Sequence, residues 1–172
     1  MKKTKLSQIP KAIWIIGLVT LLINSSSVMI FSLAPLYITR VFGLAAFQLG
    51  ILEGCVEFCS WIIRIFSGIV SDFIRKRKPV LLLAYALTAI SRPFFALAPG
   101  IGAIYSGKLL DRISNGIQAT PREALVGDLA PKEIKGSCYG LRQSLGLIGS
   151  LVGASAVVYL MHATGNDYKT IF

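Results

Sequence analysis

Charged residues are scarce in this chain. They make up 15% of its 172 residues, where a soluble domain carries about a quarter. Acidic residues are scarcer still, 8 against 18 lysines and arginines, and there are only 3 cysteines and 1 histidine. These shortages exclude whole classes of chemistry. Three cysteines make no disulfide framework. Cys55 and Cys59 sit one helical turn apart inside an apolar block, and that setting reads as small buried packing residues, not metal ligands. The single His162 has no evident partner and reads as a surface residue. The sequence contains no phosphate-binding P-loop, no metal-ligand cluster and no nucleophile with a base partner. An enzyme is therefore not expected, and neither is a bound cofactor beyond a coupling proton or cation. Transport driven by ATP would need another subunit.

What is present is apolar. Hydrophobic residues reach 54% and the mean hydropathy is +0.68, concentrated in long blocks. A net charge of +10 could suggest a nucleic-acid binder, but that function needs a basic face on a soluble fold, with aromatic residues interleaved. Here the basic residues lie between apolar blocks, as in loops at a membrane surface. The expected partner is the lipid bilayer, with no nucleic acid. The opening MKKTKLSQIPK precedes an apolar run from Ala12 to Ile38. That run is too long for the core of a secretory signal, about 7–15 residues, and lacks a cleavage pattern. It reads as a retained first span after a cytoplasmic segment, 1–11.

A bilayer core about 30 Å thick needs roughly 20 apolar residues in a helix. Five segments qualify, at about 12–38, 46–71, 79–98, 101–127 and 138–161. The expected fold is an all-α membrane bundle with one transmembrane domain over 12–161 and a run-in to a sixth helix over 162–172. Pro10 and Pro79 fall near helix starts, where a missing N–H costs little. Lysine and arginine set the orientation. The N-terminus holds Lys2, Lys3, Lys5 and Lys11. The loop after the second span holds Arg75, Lys76, Arg77 and Lys78, and the segment after the fourth holds Lys132 and Lys135. The alternation places the N-terminus in the cytoplasm.

Charges within the spans are costly, about 2.5–3.5 kcal/mol each on insertion scales, so they face a bundle interior or a watery cavity. Glu53, Glu57 and Arg64 lie on one face of the second span. Glu57 and Arg64 are two turns apart, so each is expected to meet another helix. That face either lines a polar pathway in which one glutamate exchanges a proton, or belongs to an ion network joining helices. The fourth span carries Lys108, Asp111, Arg112 and Asn115, with Arg112 near mid-membrane. Its alternatives are a functional charge or a pair with a glutamate of the second span. Arg92 in the third span reads as structural. Asn24 and the serines after it put polar groups at mid-depth of the first span, to bond neighbouring helices or line a cavity. Gly149 and Gly153 form a GxxxG pair beside Gly146, suited to close helix packing.

The stretch GIVSDFIRKRKPV, residues 68–80, resembles the G-x-L-A-D-[RK]-x-G-[RK]-[RK]-x-x-[IL] loop of the major facilitator superfamily. Gly68, Asp72, Lys76 and Arg77 match; Phe73 and Arg75 depart, replacing a basic residue and the second glycine. DRISNGIQATPREAL, residues 111–125, resembles the D-R-x-G-K-G-I-R-T-x-P-R-D-A-L stretch of one bacterial branch, with Asn115, Gln118 and Glu123 as departures. SSVMIFSLAPLY and LRQSLGLIGSLVGA resemble its first- and fifth-helix runs, except at Val28 and Gly146.

The resemblance implies a secondary-active carrier of a small solute, proton- or ion-coupled, in a bacterial inner membrane. It implies substrate handling or proton coupling for Arg112, and a gate formed by Gly68, Asp72, Lys76 and Arg77. Arg122, Glu123 and Asp128, near the cytoplasmic end of the fourth span, are candidate charge partners for that gate. Members of the superfamily carry two six-helix halves with the solute site between them. Five spans are expected to form an incomplete N-terminal half. Three readings stand open: the N-terminal part of a carrier whose C-terminal part is encoded separately, a non-transporting remnant, and a small membrane interaction protein.

Overall fold

The computed structural model describes residues 8–43, 45–74, 77–96 and 100–164. Among these, five α-helices and no strands occur: α1 (Lys11–Phe42), α2 (Ala46–Ile74), α3 (Arg77–Ala96), α4 (Ile101–Leu129) and α5 (Lys135–Ala163), with a 3₁₀ turn at Lys132–Ile134 before α5. The connections are short. Gly43 takes a left-handed backbone, φ 67°, just past the end of α1, where a residue without Cβ turns most easily. Pro79 falls in the first turn of α3, whose N–H groups have no intrahelical partner in any case. Two helical segments, Lys11–Arg40 and Lys132–Ala163, are long and apolar enough to cross a membrane on length and composition alone.

The chain divides into two compact units. The first takes the described residues up to Leu33 together with those from Val126 onward; the second runs from Ala34 to Leu125. In the first unit α1 and α5 pack backbone to backbone. Gly149 lies against the Leu21 main chain and Gly153 against that of Ser25, while Gly17 faces the Leu145 side chain. The partners advance together along both helices, so α1 and α5 run parallel. A small-residue seam of this kind substitutes van der Waals contact for the hydrophobic effect, which does not drive helices together in lipid. A small cluster closes one end, with Ile9, Ile13, Val126, Ala130 and Cys138 buried against Trp14 and Tyr139.

In the second unit α2 and α4 also run parallel. Glu53 meets Lys108, Glu57 meets Arg112, and Thr120 reaches the carbonyl of Arg64. α3 is antiparallel to α4: Arg92 and Ser91 lie beside Asp111, and Thr88, earlier in α3, bonds Ser114, later in α4. Both senses agree with helices that cross alternately. The unit is polar inside and apolar outside. Lys108, Asp111, Ser114 and Gln118 are buried, whereas Phe58, Trp61, Ile65, Phe66, Ile69 and Phe73 of α2 are exposed. Water would penalise that distribution, and a hydrocarbon solvent favours it.

The outward face of α2 also corrects one expectation. Cys55 and Cys59 are exposed among these apolar residues, and only Cys138 is buried. An apolar block predicts burial only when water is the solvent. In a membrane helix the apolar stripe faces out and the polar stripe packs.

Candidate functional site

A polar stripe runs down α2 with a spacing of four, three, four, three and four residues: Glu53, Glu57, Ser60, Arg64, Ser67 and Ser71. α4 carries Lys108, Asp111, Arg112, Asn115, Gln118 and Arg122. Because the two helices run parallel, their one-turn steps coincide, and charges pair rung by rung about 6 Å apart along the axis. Lys108 Nζ bonds Glu53 Oε1. One turn on, Arg112 Nη2 lies 2.5 Å from Glu57 Oε1. The two rungs differ in solvation. The Lys108 side chain is 1% exposed, whereas Arg112 and Glu57 keep 27% and 42% of their surface. In the first rung the lysine is desolvated while Glu53 keeps 29% of its surface; in the second both partners border open space.

Hydroxyls continue the seam below the charges. Ser60 Oγ donates to the Arg112 carbonyl at 3.0 Å, and Thr120 Oγ1 to that of Arg64 at 3.1 Å. Ser67 Oγ donates to the Ile117 carbonyl at 2.5 Å, and this bond has a local cause. Pro121 sits inside α4 and has no N–H to give the carbonyl four residues earlier, which is that of Ile117. Ser67 replaces the missing donor from the neighbouring helix. Gly116 keeps the approach open, since a Cβ there would stand 2.8 Å from the Ser60 carbonyl oxygen.

On its other side α4 is held by α3. Asp111 is fully buried and lies 3.3 Å from Arg92 Nη2. Its carboxylate also accepts from Asn115 Nδ2 at 3.1 Å, and Asn115 in turn accepts from Gln118 Nε2 at 2.9 Å. Thr88 and Ser114 hydrogen-bond within the same layer. Asp111 is thus engaged by α3 and by its own helix, while Arg112, the next residue, points to α2.

Between α2 and α4 lies a cavity of about 210 Å³ lined by Glu57, Trp61, Arg64, Arg112, Asn115 and Arg122, with Ser60, Gly116 and Ala119 completing the wall. The Arg64 guanidinium stacks over the Trp61 ring, 5.2 Å from its centroid, a geometry in which the ring face holds the cation. Glu57, Arg64 and Arg112 therefore share one space, as do Asn115 and Arg122. Glu53, Lys108 and Asp111 belong to the packing beside it.

The remaining candidates fall elsewhere. Asn24 donates through Nδ2 to the Gly146 carbonyl at 3.1 Å, a tie between α1 and α5. Asp72 pairs with Arg77 at 3.7 Å across the α2–α3 connection, with the Asp72 side chain 72% exposed. Gly68, in the same helix, packs against Thr120. Lys76 lies outside the described residues. Glu123 is partly buried in α4 and Asp128 is exposed near its end. His162 is exposed on α5, beside Tyr159 and Ser155. Sequence reasoning passed over Ser60, Trp61, Ser67 and Thr120. The heptad spacing of polar residues along α2 was the signal that would have found the two serines.

Charged rungs inside an apolar-faced, all-helical bundle are a membrane-protein arrangement, and comparison with known proteins decides which. Residues 15–172 match the family model described as Major Facilitator Superfamily. The chain belongs to the Major Facilitator Superfamily. It is thereby a multi-pass membrane protein. It is also similar to an uncharacterized MFS-type transporter of Methanocaldococcus jannaschii, at 28% identity over 161 residues, covering 91% of this chain and 40% of that protein. The chain thus spans about two fifths of the length of this curated superfamily relative.

Proposed function

We propose that this chain supplies helices to a secondary-active carrier and moves a small solute through the polar space beside α2 and α4, with a proton or cation as the coupling ion. The observation that carries this reading is the second charged rung. Glu57 and Arg112 face an open cavity, whereas in the other rung Lys108 is buried. Intramembrane charges that border a cavity are the usual marks of solute and proton pathways. The similarity to an archaeal MFS-type transporter agrees with it. In this reading Glu57 exchanges a proton, Arg112 senses that exchange through the pair, and the Asp72–Arg77 contact belongs to a cytoplasmic gate. The N-terminus is on the cytoplasmic side, by the distribution of lysine and arginine, and the membrane is a bacterial inner membrane.

The test is uptake into proteoliposomes under an imposed proton gradient, with the chain alone and with co-expressed downstream sequence. Gradient-dependent accumulation of any solute from a radiolabelled panel, abolished by Glu57→Gln, is the expected result. Intact, folded protein that accumulates nothing in either format would leave the chain a non-transporting membrane protein.

A further inference from the structure

The cavity beside α2 and α4 has an imbalance of charge that the carrier reading does not use. Its wall holds three arginines, Arg64, Arg112 and Arg122, and one carboxylate, Glu57. That carboxylate is already engaged, 2.5 Å from Arg112. Arg64 is different. Among the described residues it forms no ion pair with any carboxylate. Its contacts are the Trp61 ring and the bond that its main-chain carbonyl accepts from Thr120.

An arginine on a spanning helix is costly to place, yet the chain puts this one on a cavity wall and stacks its guanidinium on an indole. The ring face holds the cation, and among the described residues no carboxylate pairs with its N–H groups. Five donors in a planar fork match the two oxygens of a carboxylate or phosphate group bidentately, which an ammonium cannot do. Asn115 lines the opposite wall, its amide already engaged by Asp111 and Gln118. The volume, about 210 Å³, admits a small solute or the charged end of a larger one; full pockets for drug-sized ligands run from about 300 Å³ upward.

We propose that this cavity binds an oxyanion, the carboxylate or phosphate group of a small anionic solute, with Arg64 as its principal contact and Trp61 holding Arg64 in place. Arg122 lines the same wall. Arg112 stays with Glu57, so anion recognition and the coupling pair occupy adjacent walls of one space. The inference rests on the carrier reading only for the word solute; anion binding itself can be measured without transport.

Trp61 is its own reporter. The chain has two tryptophans, and Trp14→Phe leaves Trp61 as the sole indole. Purified protein in nanodiscs is titrated with sodium succinate and, separately, with inorganic phosphate, at constant ionic strength. Glucose and tetraethylammonium serve as neutral and cationic controls. The expected result is a saturable change in Trp61 emission with one or both anions, the responding arm telling carboxylate from phosphate. Arg64→Gln should weaken the midpoint at least tenfold, and Arg64→Lys should give an intermediate value. Because Arg64 is exposed, both variants should keep the helical circular-dichroism spectrum of the parent, and the comparison is made only between proteins that do.

No anion response, or a midpoint unmoved by Arg64→Gln, overturns the proposal. A saturable response to glucose or tetraethylammonium alone also overturns it, while leaving a solute-binding cavity in place. Anion binding without uptake in proteoliposomes sustains the anion site and counts against the carrier.

Discussion

The bond from Ser67 to the Ile117 carbonyl yields a quantitative prediction, because its cause is a single residue on another helix. Pro121 removes the N–H that would satisfy that carbonyl, and Ser67 Oγ supplies a donor 2.5 Å away. A buried carbonyl left without a partner costs about 1–3 kcal/mol in water-soluble proteins. Hydrogen-bond couplings measured within membranes are smaller, averaging about 0.6 and reaching about 1.7 kcal/mol. Ser67→Ala should therefore cost about 1–1.5 kcal/mol in the parent. In a Pro121→Ala background the helix regains its own N–H at position 121, and Ser67→Ala should then cost no more than about 0.5 kcal/mol. The cycle predicts a coupling near 1 kcal/mol, positive in the sense that proline makes the serine matter. The four proteins would be compared by equilibrium unfolding in mixed micelles, titrating the denaturing detergent and following helical ellipticity. Equal losses in the two backgrounds, within about 0.3 kcal/mol, would refute the replacement argument and leave the Ser67 bond a coincidence of packing.

The same assay separates the two charged rungs. Glu53→Gln takes the carboxylate from a lysine that is 1% exposed and should cost about 3 kcal/mol, recovered in part by Lys108→Met. Glu57→Gln, beside the better-solvated Arg112, should cost clearly less; the reverse order would contradict the solvation difference. At the α1–α5 seam Gly149→Ala forces a methyl group onto the Leu21 main chain and should destabilise by about 1–3 kcal/mol. Gly50→Ala, with open space around it, should be neutral or stabilising by up to about 1 kcal/mol. Asp72→Asn breaks an exposed pair and should change stability by less than about 1 kcal/mol. A lower transport rate with unchanged melting would then give the Asp72–Arg77 contact a gating role, whereas a large loss of stability would make it structural.

Much of the architecture is legible in the linear order of residues. Long apolar blocks separated by basic loops imply helices in lipid, because neither backbone polarity nor lysine clusters are tolerated in hydrocarbon. The GxxxG spacing of Gly149 and Gly153 marks a helix–helix seam because only a missing side chain lets backbones approach. The separation of Glu57 from Arg64 implies that each meets another helix; Glu57 does, at Arg112 of α4, whereas the Arg64 guanidinium lies over Trp61 of its own helix.

Other features could not be read this way. Alternate crossing makes α2 and α4 parallel and the sequence offers a pair between Arg112 and a glutamate of α2, but that Arg112 meets Glu57 while Lys108 meets Glu53 depends on the tertiary registry of the two helices. The commitment of Asn24 to an α5 carbonyl also follows from which helix lies beside α1. Cys55 and Cys59 were misread as buried because burial was judged by polarity alone, and lipid reverses which face is outside. The deepest division concerns Pro121 and Arg64. The sequence determines that Pro121 lacks a donor and that Arg64 carries a charge, since both are properties of one side chain. Only the tertiary structure decides that Ser67 answers the first and that a cavity between α2 and α4 opens beside the second, because Ser67 lies on a different helix from Pro121 and the cavity is a space between helices.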